Sequence, residues 1–97
     1  VTLDPKTAHS ELVLTEDLRC MRWQGVWQDV PDTPERFSFW RCVLGREMFQ
    51  EGKHCWEVGV KAELGADPWW GAGVARESVK KKGRVLPSPA EGVWAVR

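Results

Sequence analysis

The sequence predicts an all-β fold, and three observations lead to it. The apolar stretches are short and bounded by Gly and Pro, and their apolar residues alternate with a period of two. No stretch continues into a convincing long helix. The length of 97 residues suits one domain and leaves no room for two. We therefore expect a single all-β domain.

The amino-terminal half predicts a hairpin followed by a loop. Asp4-Pro5 resembles a helix opening, but the pattern gives way to Glu11-Leu12-Val13-Leu14, so we expect one helical turn that feeds a strand. After a polar turn at 15–17, residues 18–23 can pair back onto that strand. The stretch 24–34 has no periodicity and holds two prolines, which predicts a loop.

Two strands are expected in the middle of the chain. Residues 38–45 alternate as a strand with one drier side does. Residues 54–60 give the strongest half-buried strand pattern of the sequence, with one face formed by His54, Trp56, Val58 and Val60.

The carboxy-terminal part predicts further strands. Residues 62–68 read as a turn, residues 69–75 as a strand, and residues 84–86 as a short strand. One face of the strand 69–75, namely Gly71, Gly73 and Ala75, has almost no side chain, which implies close approach by a bulky group such as a Trp. Residues 93–97 begin a strand that stops at the end of the chain, so we expect the domain to be incomplete at this end.

The composition excludes several functional classes. Fourteen Lys and Arg balance fourteen Asp and Glu, which argues against general nucleic-acid binding. No apolar run approaches the roughly 18–20 residues that cross a bilayer, and no amino-terminal segment reads as a signal peptide, so we expect no membrane contact. The three cysteines are an odd number without a CxxC pair, which favours a reducing, cytoplasmic setting over secretion.

No catalytic or metal-binding constellation is present in the sequence. His54 and Cys55 are neighbours on a predicted strand and would point to opposite faces, so they cannot easily share a metal. We expect His54 to be a packed or half-exposed structural residue, His9 to lie at the surface, and all three cysteines to be buried and inert. The sequence contains no GxSxG or HExxH motif. We expect no enzyme activity and no cofactor.

Tryptophan supplies the candidate binding residues. Seven Trp and no Tyr occur in the chain, more Trp than a small core needs. The loops 21–32 and 64–69 are the expected contact segments for a protein partner. The candidate contacts are Trp23, Gln24, Trp27, Gln28, Asp67, Trp69 and Trp70.

A basic run is the second candidate site. Five cations lie within nine positions and could contact an anion, namely Arg76, Lys80, Lys81, Lys82 and Arg84. A solvated turn explains them equally well.

Several segments together resemble one family. The amino-terminal part contributes Leu3-Asp4-Pro5, Pro34-Glu35-Arg36-Phe37 and Val43-Leu44-Gly45, and the later part contributes Gly52-Lys53-His54-Cys55-Trp56-Glu57-Val58, Trp70-Gly71-Ala72-Gly73-Val74 and Gly92-Val93-Trp94. In this order they resemble the amino-terminal half of a PRY-SPRY (B30.2) domain of the tripartite-motif and butyrophilin type. The resemblance divides the chain into a PRY segment and junction at 1–45 and a first part of SPRY at 46–97.

The resemblance implies a bent antiparallel β-sandwich of the concanavalin-like jelly-roll kind, incomplete at its carboxy-terminal end. It also implies a non-catalytic module whose variable loops capture a target protein, as in the substrate-recognition domain of a ubiquitin ligase or the intracellular domain of a butyrophilin. A short, secreted form similar to the vespryns is the alternative. Because the sandwich would be incomplete, self-association or pairing with a missing carboxy-terminal half is expected.

Overall fold

A computed structural model describes residues 1–60, 70–84 and 86–96 of the chain. The described part contains four β-strands, β1 (Leu12–Leu14), β2 (Met21–Trp23), β3 (Ala72–Ala75) and β4 (Val93–Val96), and a 3-10 turn at Pro89–Glu91. These strands form two antiparallel two-stranded sheets, and no α-helix occurs among the described residues. The all-β prediction is confirmed for the described residues.

The predicted hairpin is present and shorter than expected. Strands β1 and β2 pair in the register Leu12 with Trp23 and Leu14 with Met21. Their connection closes through the Thr15 N–H, which donates to the Cys20 carbonyl at 3.0 Å. The Thr15 hydroxyl also lies 2.6 Å from an Asp17 carboxylate oxygen, and this contact is the main reason that the pKa of Asp17 is lowered.

The turn before this hairpin forms, and the loop after it has the predicted character. Asp4 accepts the Thr7 N–H at 3.0 Å on its carbonyl and the Lys6 N–H on its side chain, so the turn is closed locally. None of residues 24–34 belongs to a strand or helix.

The predicted strand at 38–45 is wrong. The segment is bent, and only Gly45 forms an isolated bridge, to Leu3. Its backbone groups take separate partners: Ser38 N–H donates to the Lys81 carbonyl, Cys42 N–H to Trp40, and Leu44 N–H to the Thr7 hydroxyl. These three groups donate to three different acceptors, and apart from the bridge at Gly45 no strand pairing forms in the segment.

The predicted half-buried strand at 54–60 is also wrong. All seven residues are exposed and none lies in a strand. An alternating pattern becomes a half-buried strand only when another strand and a core lie beside it, and period two by itself supplies neither.

The carboxy-terminal predictions are confirmed in part. Strand β3 occupies 72–75 of the predicted 69–75, and β4 occupies 93–96 of the predicted 93–97; residues 61–69 and Arg97, with the predicted turn at 62–68, lie outside the described residues. Arg84 and Leu86 are not in a strand, and Val85 lies outside the described residues.

The expected close approach at the small-residue face of β3 occurs at Gly73. A Cβ there would overlap the Trp94 carbonyl oxygen and come within 2.5 Å of the Ala95 Cα. The group that approaches is therefore the β4 backbone, and the expected Trp side chain does not fill this space.

The chain divides into two compact units, residues 1–52 with 80–85 and residues 53–79 with 86–97. The first holds the buried apolar residues Ala8, Leu12 and Phe37. Arg36 fastens its loop to this core, because its guanidinium donates to the Pro31 carbonyl at 2.8 Å and to the Ala8 carbonyl at 2.6 Å. The second unit contains the β3–β4 hairpin.

No helix within the described ranges has the length and apolar character that a bilayer crossing requires.

Candidate protein-binding surface

Trp23 is held in place although most of its ring faces solvent. It ends β2, its side chain donates from Nε1 to Glu11 Oε2 at 2.9 Å, and 61% of its surface is exposed. The Arg41 guanidinium lies 5.6 Å from the ring centroid, a cation–π distance. Gly25, with φ +72°, lies against the six-membered ring of the indole, since a Cβ there would be 3.0 Å from Trp23 Cζ2. The exposed ring is therefore oriented before any partner arrives.

Glu11 is the anchor of this arrangement. One oxygen, Oε2, accepts both the Trp23 indole N–H and, at 2.6 Å, Arg41 Nε. The hydrogen bond from Trp23, followed by the one from Arg41, lowers the pKa of the Glu11 carboxyl below its ordinary value. The carboxylate is thus ionised at neutral pH and holds two side chains that flank the surface.

The ring of Trp27 contacts His9, which lies in the buried segment before β1. Its ring centroid is 5.9 Å from that of His9 with the planes tilted by 57°, and Trp27 is 70% exposed. The prediction that His9 lies at the surface is wrong: it is 4% exposed, and its Nδ1 accepts the Glu11 N–H at 3.0 Å. The reason is that this imidazole satisfies a buried amide of the turn into β1, which a solvated side chain could not do.

The two glutamines of the predicted site differ in their contacts. Gln28 Nε2 donates to the Leu12 carbonyl at 2.5 Å and to the Ser10 carbonyl at 3.3 Å, and its backbone N–H also donates to Ser10. Gln28 therefore covers the edge of β1 that β2 leaves open. Gln24 donates its backbone N–H to the Glu11 carbonyl at 3.0 Å and is exposed.

We call Met21, Trp23, Val26 and Trp27 the tryptophan face. Their exposed fractions are 48%, 61%, 59% and 70%. All four belong to the hairpin and its following loop, within the first compact unit. Exposed apolar side chains on a supported segment are typical of a protein-binding surface.

The sequence reading missed the residues that support this face, namely His9, Glu11 and Arg41. A signal existed for Glu11: the hairpin register that pairs Leu12 with Trp23 places Glu11 beside Gln24. No comparable signal existed for Arg41, because it comes from an irregular segment 30 residues away along the chain from Glu11.

The remaining predicted contacts are three residues in the later part of the chain. Trp70 is 42% exposed and belongs to the second unit, and Asp67 and Trp69 lie outside the described residues.

The basic run is divided among local partners. Arg76 lies over the Trp94 ring at 5.4 Å, and Arg84 lies over the Phe39 ring at 5.2 Å. Lys82 Nζ lies 2.5 Å from Asp32 Oδ1. Lys80 is exposed, and Lys81 is half-buried and uses its carbonyl to accept the Ser38 N–H. Arg76, Lys82 and Arg84 thus each have a contact within their own compact unit.

The prediction of three buried cysteines is wrong. Cys20 and Cys55 are exposed and Cys42 is half-buried, all as free thiols. Cys20 lies in the turn of the hairpin and Cys55 in the irregular exposed segment, so neither reaches a core. Burial raises the pKa of Cys42. His54 lies at the surface, and within the described ranges no group of three His, Cys, Asp or Glu is placed to hold a metal.

Comparison with known proteins identifies the family. Residues 1–49 match the model of the PRY, or SPRY-associated, domain. The chain is 52% identical over 98 residues to the mouse E3 ubiquitin-protein ligase TRIM58, covering 99% of this chain and 19% of that protein. It is 53% identical to the mouse erythroid membrane-associated protein (100% and 16%) and 51% identical to mouse butyrophilin subfamily 1 member A1 (99% and 18%).

The chain thus spans less than a fifth of the length of these relatives. Two of them are a tripartite-motif protein and a butyrophilin, the two kinds of protein to which the sequence motifs pointed. The chain belongs to the PRY (SPRY-associated) domain family and forms the amino-terminal, PRY-containing part of a B30.2 domain.

Proposed function

We propose that this chain is a non-catalytic protein-recognition module and that the tryptophan face contacts the target. The observation that carries the proposal is an exposed Trp pair on a supported base: Trp23 and Trp27 expose 61% and 70% of their surface while Glu11 and His9 support them. Pre-oriented aromatic side chains lose little conformational entropy on binding, which favours them as interface anchors. By analogy with the relatives, the role is target recognition for a ligase or for a butyrophilin-like receptor.

The experiment compares two substitutions of equal exposure. Trp27 is 70% exposed and Met48, in the same compact unit and outside the tryptophan face, is 69% exposed. The wild-type chain, Trp27→Ala and Met48→Ala are used as baits in cell extract after mild crosslinking, with quantitative mass spectrometry. We expect at least one protein that wild type and Met48→Ala recover equally and that Trp27→Ala recovers poorly.

Binding of the recovered protein is then measured with purified components. A central Trp contributes at least about 2 kcal/mol to an interface, which corresponds to a rise of about thirty-fold in Kd for Trp27→Ala. Equal Kd values for Trp27→Ala and Met48→Ala would contradict the assignment of this face.

We also propose that the exposed apolar face of the β3–β4 hairpin is covered, by a second copy of the chain or by a carboxy-terminal half. The register places Val74, Trp94 and Val96 on one face, and they are 42%, 44% and 70% exposed. Light scattering on a sizing column tests self-association. A monomer of 11.1 kDa at high concentration would contradict it.

We propose a reducing, cytoplasmic setting, supported by the exposed free thiols of Cys20 and Cys55. Alkylation of denatured protein from rapidly quenched cells should modify all three cysteines without added reductant. A thiol that reacts only after reduction would contradict this location.

A further inference from the structure

Two Ser/Thr-Pro pairs occur in the chain, Thr33-Pro34 and Ser88-Pro89. A proline directly after the hydroxyl residue is the feature that proline-directed protein kinases require. Both hydroxyl residues are half-buried, and they differ in the hydrogen bonds that their side chains make.

Ser88 has the backbone and the surroundings that a kinase substrate needs. Its φ and ψ are −157° and 162°, an extended conformation, and its side chain makes no capping hydrogen bond. Leu86 is 69% exposed, and Pro87 and Pro89 are exposed as well. Kinases bind their substrates as extended segments, and the Ser88 backbone already has this conformation.

The carboxy-terminal side of Ser88 can open at low cost. The 3-10 turn at Pro89–Glu91 has no buried residue, so opening it costs backbone hydrogen bonds and no buried side chain. These bonds are Glu91 N–H to the Ser88 carbonyl at 2.9 Å, Gly92 N–H to the Pro89 carbonyl at 3.0 Å, and Val93 N–H to the Ser88 carbonyl at 3.0 Å. A short turn that buries no side chain lies at the low-stability end of a fold. Local opening can therefore present residues 86–91 to a kinase cleft.

Thr33 is half-buried, as Ser88 is, but its side chain is engaged in the fold. Its hydroxyl hydrogen-bonds the Glu35 carboxylate, and its carbonyl accepts the Arg36 N–H at 3.1 Å. Arg36 in turn donates to the carbonyls of Pro31 and Ala8, so opening this turn would release a contact to the core. The Thr33 hydroxyl is held within the fold.

We propose that Ser88 is a phosphorylation site for a proline-directed serine/threonine kinase and that Thr33 is not. In the reaction, Ser88 Oγ forms a bond to the γ-phosphorus of Mg-ATP, the bond from that phosphorus to the β-phosphate oxygen breaks, and ADP leaves. The hydroxyl proton passes to the catalytic base of the kinase. The product carries an added charge of roughly −1.5 to −2 on a surface that Leu86 and the two prolines make apolar.

The test incubates the folded 97-residue chain with a purified proline-directed kinase and Mg-ATP, and reads intact mass and the mapped position. We expect one phosphate per wild-type chain, and at least about tenfold slower incorporation in both Ser88→Ala and Pro89→Ala. Pro89→Ala keeps the hydroxyl and removes only the recognition element, and any loosening of the turn by this variant would raise phosphorylation rather than lower it.

Thr33→Ala is the matched control and should be phosphorylated at the wild-type rate. Absence of phosphate on the wild-type chain, mapping of the phosphate to Thr33, or unchanged incorporation in Ser88→Ala would each overturn the proposal. Loss in Ser88→Ala with full incorporation in Pro89→Ala would also overturn it, because the kinase would not then be reading the proline.

Discussion

The position of Trp23 should depend on Gly25 in a way that can be separated from backbone strain. Gly25 has φ +72° and a Cβ added there would be 3.0 Å and 3.2 Å from two ring atoms of Trp23. Gly83 has a nearly identical φ of +83° with no atom within 4 Å of the corresponding position. Gly25→Ala and Gly83→Ala therefore share the backbone penalty and differ in the contact with the indole.

The magnitudes follow from these two terms. An alanine in the left-handed region costs about 1–2 kcal/mol, and the lower entropy of the unfolded chain offsets about 0.4–1 kcal/mol of this. Gly83→Ala should thus lower the free energy of unfolding by about 1 kcal/mol. In Gly25→Ala the Trp23 ring must also shift by a few tenths of an ångström, which weakens its contact with Arg41, worth about 0.5–1 kcal/mol at an exposed site. We expect a total loss of about 2 kcal/mol for Gly25→Ala.

Two measurements check this. Urea unfolding gives the free energies of wild type and of both variants. The indole N–H resonance of Trp23, assigned by its disappearance in Trp23→Phe, reports the hydrogen bond to Glu11. We expect this resonance to move in Gly25→Ala and to stay in place in Gly83→Ala.

Equal losses of stability in the two variants, together with an unmoved Trp23 resonance in both, would refute the argument. That result would mean that the ring is not held by the packing against Gly25 and that the tryptophan face is not pre-oriented.

Three further outcomes are expected. Gln28→Glu replaces a donor to two carbonyls with a carboxylate and should lower the free energy of unfolding by about 1–3 kcal/mol, whereas Gln24→Glu, with an exposed side chain, should change it little in the same urea titration. Gly73→Ala should lower the free energy of unfolding by about 3 kcal/mol because its Cβ overlaps the β4 backbone, whereas Gly59→Ala, whose Cβ meets open space, should lower it by less than about 0.5 kcal/mol. Similar losses for the two variants in thermal unfolding would contradict the β3–β4 register. The hydrogen bonds from Trp23 and then Arg41 lower the pKa of Glu11 in the folded chain, so its contribution to stability is present above pH 4.5 and is lost as the pH falls through the folded-state pKa. Glu11→Gln should therefore remove this part of the pH dependence of the free energy of unfolding.

Local pattern was enough for the parts of the fold whose partners are close in sequence. The β1–β2 hairpin pairs residues at most 11 positions apart, and the turn at Asp4 closes within three residues. The irregular loop 24–34 follows from its two prolines and missing periodicity. In each case the residues that determine the conformation are close together in the sequence.

Only part of the candidate site follows from the sequence pattern. Trp23 and Trp27 could be named because large aromatic residues stand in and beside an unpatterned loop. Their supports could not, since Arg41 reaches Glu11 across 30 positions and His9 is buried by that same distant packing. The sequence predicts Gln28 as a contact residue, and only the fold shows that its side-chain amide donates to the Leu12 carbonyl at the open edge of β1.

The sequence by itself determined the all-β class, the family and the local hairpin, because short-range periodicity, turn residues and motif order are properties of the chain. The tertiary structure decided which alternating segments become strands: residues 54–60 alternate as well as any in the chain and stay exposed and irregular. Periodicity specifies which side chains could share a face, but a ladder also requires a partner backbone and a core, and those come only from long-range packing.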